Sequence, residues 1–220
     1  AQPVRASALG LDVVVDHGVD LFAQLAELDH GHHAAGKKQR QDEAEHQGQA
    51  LANGELTLAF QPKLTVHGLM LKGVEALARW KHPQKGMISP GVFIPLAERH
   101  GLIDALTRHL LEQAFKHKRT WQQYGLRFNL AFNLSPLSLA DIDIVDWLCA
   151  MAAQYDVPAN EITFEITENA LLGELASAIR TLARLRLKGF HIAIDDYGTG
   201  FANAQQLSRV PATELKIDRS

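Results

Sequence analysis

From Leu56 onward, short apolar runs alternate with longer stretches of helical period, and five of the runs close on a polar motif. The motifs are Glu75-Ala76-Leu77, Asn133-Leu134-Ser135, Glu165-Ile166-Thr167-Glu168, Asp195-Asp196-Tyr197-Gly198-Thr199-Gly200 and Lys216-Ile217-Asp218-Arg219. A carboxylate, amide or ammonium that recurs where strand after strand ends is how a (β/α) barrel assembles a site, because the C-terminal strand ends converge on one mouth.

The individual segments agree with that pattern. Leu56 to Phe60 and Leu69 to Ala78 read as two strands joined by a turn at Val66-His67-Gly68, and Pro90 to Tyr124 as one long helical stretch. Strand is then expected at Phe128 to Leu134, Ile162 to Ile166, His191 to Ile194 and Glu214 to Ile217. Helix is expected at Leu139 to Tyr155, Leu171 to Lys188 and Ala202 to Arg209. This is the βαβα rhythm of a parallel sheet covered by helices. Periodicity alone does not choose between an open sheet and a closed barrel; the placement of the polar residues favours the barrel.

Composition excludes several classes of function. The 22 basic residues against 25 acidic ones give a formal charge of -3, so no global positive field holds a nucleic-acid polymer. No stretch approaches the roughly 18 apolar residues of a membrane span, and the first residues lack the layout of a signal peptide, so a cytoplasmic location is expected. The single cysteine, Cys149, lies in an apolar run and reads as a buried helical thiol. Residues 1 to 50 carry five of the eleven histidines and a polar stretch from Gly36 to Gln49, and read as an appendage or linker ahead of the catalytic unit at 51 to 220. Within them, His30-Gly31-His32-His33 has no carboxylate or cysteine at a recognised ligand spacing and reads as a surface loop. Met70 and Met87 call for no function.

Glu75, Asn133, Glu165, Asp195 and Asp196 place four carboxylates and an amide at the ends of four strands. Hard oxygen ligands in that number suit Mg²⁺ or Mn²⁺ rather than zinc, and like charges so close together require neutralising cations. A pair of such cations is a standard device for in-line displacement at a phosphate. Lys216 lies in the same mouth, either polarising the water or neutralising charge. Arg79 shares a strand face with Leu77 and is placed to grip a phosphate oxygen. Gly198-Thr199-Gly200 lacks the spacing and the following lysine of a P-loop and reads as a hinge beside the metals.

With Ala59-Phe60-Gln61-Pro62 added and the first motif extended through Trp80, these six ordered motifs closely resemble the EAL domain of bacterial cyclic di-GMP phosphodiesterases. The resemblance covers residue 51 to the C-terminus. It implies a TIM-like (β/α) barrel that linearises cyclic di-GMP to pGpG with two Mg²⁺ or Mn²⁺ ions. By the family's pattern Glu75, Asn133, Glu165, Asp195 and Asp196 are metal ligands, and Lys216, Glu75 and Asp195 carry the chemistry. Gln61, Leu77, Arg79 and Asp218 contact the dinucleotide, and Glu168 anchors the loop after Asp196. Tyr197 stands where the family usually has Phe.

The family's pattern continues past Lys216-Ile217-Asp218-Arg219 with two further strands, one carrying a glutamate and one a glutamine. A barrel truncated before those strands keeps two open edges, so a chain ending at Ser220 is expected to be poorly active alone and prone to dimerise through the open side. A sensory or regulatory domain is expected in the full-length protein. The alternative to an enzyme is an inactive module that binds cyclic di-GMP as a sensor.

Overall fold

The computed structural model describes residues 50, 53–65, 70–168, 175–197 and 209–217. Among them the elements run β1 (Leu56–Leu64), β2 (Leu71–His82), β3 (Gly86–Ile88), α1 (Pro90–Arg99), α2 (Ile103–Gln123), β4 (Asn129–Asn133), α3 (Ile144–Gln154), β5 (Ile162–Thr167), α4 (Leu175–Leu187), β6 (His191–Tyr197) and β7 (Glu214–Ile217).

The sheet follows the order β1-β2-β4-β5-β6-β7, with β3 paired to β2 off that path. β1 is antiparallel to β2, whereas β2, β4, β5, β6 and β7 are all parallel. The βαβα rhythm is therefore present, preceded by one antiparallel hairpin. Both hairpin strands are longer than the apolar runs alone suggest, since Gln61 to Leu64 and Arg79 to His82 also pair. The turn between them, and the helix expected at Ala202 to Ser208, lie outside the described residues, as do residues 1–49; Arg209 itself is in a turn.

Two helical expectations are corrected. The stretch from Pro90 to Tyr124 is two helices, because Gly101 takes φ 68°, a left-handed conformation that ends α1. There the Gly101 N–H donates to the Glu98 carbonyl and the Leu102 N–H to the Ala97 carbonyl, which is the Schellman arrangement. At its other end, α1 begins on Ser89, whose Oγ accepts the Gly91 N–H, with Pro90 at the first helical position. The stretch from Leu139 to Tyr155 opens with a 3₁₀ turn at Ser138–Ala140 and becomes α-helical only from Ile144.

Each strand obeys a period of two. Leu56 and Phe60 of β1, Val74, Ala76 and Trp80 of β2, Leu130 and Phe132 of β4, Ile162, Phe164 and Ile166 of β5, and Ile192 and Ile194 of β6 all join one apolar core with the helices. Aromatic pairs tie it together, with Phe60 edge-on to Trp121 at 4.8 Å and Trp80 edge-on to Phe93 at 5.8 Å. The alternate residues, among them Gln61, Lys63, Glu75, Glu165, Asp195 and Lys216, take the other face.

That second face is concave. Lys216 on β7 reaches Glu75 on β2 at 3.3 Å although three strands separate them. In a flat sheet, strands about 4.8 Å apart would hold β2 and β7 about 19 Å from each other. The sheet is curled so that its polar face closes on itself, the geometry on which a barrel interior rests.

Gly73 shows how tightly the curl is packed. A Cβ there would stand 2.6 Å from the Asn129 carbonyl oxygen on β4, a backbone atom that moves only with its strand. We expect Gly73→Ala to lower the unfolding free energy by about 1–3 kcal/mol, the usual cost of overpacking, measured by urea denaturation. An unchanged midpoint would show that β2 and β4 separate without penalty.

Candidate metal centre

The parallel register lines up the strand ends that carry the polar motifs. Asn133 of β4 pairs with Glu165 of β5, and Thr167 of β5 pairs with Asp195 of β6. Glu75 of β2 pairs with Gln61 of β1 on one side and Ala131 of β4 on the other. Between β6 and β7 the register slips from Ile194 to Tyr197, and within that slip Asp196 takes φ 56°. Asp is among the residues that adopt this region most readily. The bulge interrupts pairing at the two consecutive aspartates before it resumes at Tyr197 with Ile217, and the Asp196 N–H donates to Asp195 Oδ1 at 3.0 Å.

Oxygen atoms of Glu75, Glu165 and Asp195 converge to within 4.8 Å of one another. Lys216 Nζ sits among them, 2.7 Å from Glu165 Oε2, 2.8 Å from Asp195 Oδ2 and 3.3 Å from Glu75 Oε2. Asn133 Nδ2 donates to Glu75 Oε1 at 2.8 Å. Three of the five expected ligands thus share one point, Asn133 braces the first of them, and Asp196 is exposed immediately beyond Asp195.

The fit to a cation follows from the donor set. Three carboxylates surround a position where an ammonium group sits, all the ligand atoms are oxygens, and Glu165 is wholly buried. That is the chemistry of a hard divalent ion.

Glu165 has a second partner that the motifs did not point to. Lys63 Nζ on β1 lies 2.6 Å from Glu165 Oε1, so each carboxylate oxygen is held by a different ammonium group. The signal was available: Lys63 stands two residues after Gln61 and shares its strand face. Burial first, then the neighbouring Glu75 charge, push the Glu165 carboxyl above its ordinary 4.5, against the hydrogen bonds from Lys216 and Lys63. For Lys216 burial works against the charge. Its bonds to Asp195 and Glu165, with the attraction of Glu165 and Glu75, outweigh burial and raise its pKa above 10.5.

The remaining site residues surround this cluster. Leu77 and Arg79 line a cavity of about 290 Å³, together with Ile94, Glu98, Ser135 and Glu165. Arg79 Nη1 donates to the Ala78 carbonyl at 3.0 Å, and Glu98 Oε1 accepts from Ser135 Oγ at 2.7 Å. Gln61 is exposed opposite Glu75, and Glu168 is buried just past the end of β5. Asp218 and the Gly198-Thr199-Gly200 segment lie outside the described residues, as does the His30 cluster. Cys149 is only partly buried on α3. Among the described residues no helix is long and apolar enough to cross a membrane.

Comparison with known proteins agrees with this architecture. The chain belongs to the EAL domain family, which it matches over residues 44–220. It is 36% identical over 170 residues to RocR, a cyclic di-GMP phosphodiesterase of Pseudomonas aeruginosa, covering 77% of this chain and 43% of RocR. It is 39% identical over 172 residues to MucR of the same organism, a bifunctional diguanylate cyclase/cyclic di-GMP phosphodiesterase, covering 78% of this chain and 25% of MucR. The structure of the MucR phosphodiesterase in complex with c-di-GMP superposes with a TM-score of 0.75 at 38% identity, covering 80% of this chain and 72% of that one. The chain spans less than half the length of either of these curated relatives.

The electrostatics generate a prediction for the metal-free protein. Because the Lys216 pKa is raised on folding, its contribution to stability is present throughout the range below 10.5 and is lost only as pH rises through the folded value. The contribution also needs an ionised partner, so it begins to fade while the pH is still above 4.5, as Glu165, whose carboxyl burial pushes up, takes a proton. After chelator treatment, Lys216→Met is expected to melt below wild type at pH 7, with the gap narrowing toward pH 4. Equal melting temperatures at pH 7, or a gap that widens in acid, would contradict the charge balance described here.

Proposed function

We propose that this chain carries out phosphodiester hydrolysis of cyclic di-GMP to linear pGpG in the cytoplasm. The observation that carries the proposal is the convergence of Glu75, Glu165 and Asp195 on one cation-sized position, beside a cavity lined by Leu77 and Arg79. Two divalent cations, Mg²⁺ or Mn²⁺, held by Glu75, Asn133, Glu165, Asp195 and Asp196, supply charge neutralisation and water polarisation when bound.

The protein's own residues account for the rest. Water attacks phosphorus, a new P–O bond forms, and the bond to the ribose 3′ oxygen breaks, leaving a 5′ phosphate and a 3′ hydroxyl. The proton lost by the water passes to a basic group, and the 3′ oxygen gains one. Lys216, 2.7 Å from Glu165 Oε2 and 2.8 Å from Asp195 Oδ2, is placed to orient that water once those carboxylates are drawn away from it by a divalent cation. Glu75 and Asp195 are the carboxylates placed beside that water. Arg79 supplies a charged donor to a phosphate oxygen, Leu77 an apolar contact, and Gln61 and Asp218 polar contacts to the dinucleotide. Glu168 anchors the loop that follows Asp196. Self-association and coupling to a regulatory domain belong to the same proposal.

The test is cleavage of cyclic di-GMP followed by chromatography, with Mg²⁺ or Mn²⁺ as sole divalent ion, in wild type and Glu75→Gln at equal folded concentration. The variant is expected to lose more than nine-tenths of kcat, beyond ~1.4 kcal/mol of transition-state stabilisation. Retention of more than about a tenth of the wild-type rate would remove Glu75 from the chemistry. Tight cyclic di-GMP binding with no turnover by the wild type would instead assign the chain as a sensor.

A further inference from the structure

Glu165 is gripped from two ends of the curled sheet. Lys216 approaches from the mouth, where the parallel strands terminate, and takes Oε2 at 2.7 Å. Lys63 approaches from the opposite end and takes Oε1 at 2.6 Å. Lys63 itself belongs to a second cavity, of about 260 Å³, lined by Gly73, Asn129, Thr163, His191 and Glu214 at the starts of the parallel strands. Its side chain is 25% exposed, whereas that of Glu165 is fully buried. One carboxylate oxygen is therefore bonded to the ammonium that also bonds Glu75 and Asp195, and the other to an ammonium that comes from the opposite end.

We propose that Lys63 is a positioning residue that sets cation selectivity: by occupying Glu165 Oε1 it restricts this carboxylate to one-oxygen coordination. The inference rests on the reading of Glu75, Glu165 and Asp195 as a divalent-metal site. Mg²⁺ demands near-octahedral geometry at about 2.0–2.1 Å and takes single carboxylate oxygens. Ca²⁺ accepts six to eight ligands at about 2.3–2.6 Å and gains from carboxylates that bind through both oxygens. A Glu165 pinned at Oε1 offers the first arrangement and denies the second.

Geometry and charge act separately on the two ions. Deleting the Lys63 ammonium removes one positive charge near the site, which favours any divalent cation. Mg²⁺ and Ca²⁺ carry equal charge, so that change acts on both nearly alike. Only a change in how Glu165 is presented shifts one ion against the other. A loss of packing around Lys63 would lower stability without shifting that ratio.

Equilibrium affinities of Mg²⁺ and Ca²⁺ are measured by calorimetry on the chelator-treated chain, without nucleotide, for wild type, Lys63→Met and Lys63→Arg. Lys63→Met, close to lysine in length but without a donor, is expected to raise the Ca²⁺-over-Mg²⁺ affinity ratio about tenfold. Lys63→Arg, which keeps charge and donors, is expected to hold the wild-type ratio. If Lys63→Met fails to fold, Lys63→Gln is measured in its place, and its shorter side chain is expected to release Oε1 and raise the ratio in the same sense. A folded neutral variant with the ratio unchanged within about twofold, while wild type binds both ions, overturns the role of Lys63 and leaves the metal site standing. Wild type that binds neither ion overturns both.

Discussion

A fully buried carboxylate is the constraint around which this fold is arranged. Taking an isolated carboxylate out of water costs several kcal/mol even after relaxation, unless opposite charge and hydrogen bonds meet it inside. Glu165 is met by two ammonium groups, Lys216 from β7 and Lys63 from β1, brought from 51 positions later and 102 positions earlier in the chain. Lys63, three strand spacings away, does not reach it unless the sheet curls, and neither does Lys216 meet Glu75 at the same time. The ion pairs thus couple strands that share no backbone hydrogen bonds, and the hydrophobic core on the convex face supplies the energy that holds the concave face in register.

The same concave face brings the proposed metal chemistry and the structural charge pairing to one place. Three acids that converge to within 4.8 Å repel one another unless a cation lies between them. In the metal-free chain Lys216 fills that role, and a divalent ion that enters must share the acids with it. An ammonium in that place offsets the mutual repulsion of the three acids. An acidic cluster lacking an internal ammonium would make the metal-free fold carry the full repulsion.

Much of this was legible in the sequence because period-two patterning and motif position report the same thing. The strand Glu214–Ile217 was read to the residue, and four of the five motifs begin in the last residues of a strand, whereas Glu75-Ala76-Leu77 lies in the middle of β2, which runs on to His82. What escaped were features set by tertiary context. The single stretch from Pro90 to Tyr124 divides because Gly101 adopts a left-handed conformation, and its helical period continues on both sides of the break. Lys118, a charged residue that no motif contains, is fully buried, bonded to the Phe128 carbonyl and paired with Glu161 at 2.7 Å. The spacing of α2 carried the signal, because Lys118 lies four residues after Ala114 and three before Trp121 on the buried stripe, whereas Lys116 lies off it, exposed, and pairs with Glu112.

Lys63 escaped for a different reason, which bears on how such sites are read. The rule that functional residues gather at C-terminal strand ends holds for parallel strands, where later in sequence means nearer the mouth. β1 is antiparallel to β2, with Leu56 opposite Trp80 and Lys63 opposite Gly73, so along this strand later means deeper. Gln61 lies level with Glu75, and Lys63 two residues further in, beside the starts of its neighbours. From there its long side chain reaches back to Glu165 Oε1. One reversed strand therefore gives the buried acid a partner from beneath, and the direction of β1, invisible in its composition, decides from which end of the sheet that partner comes.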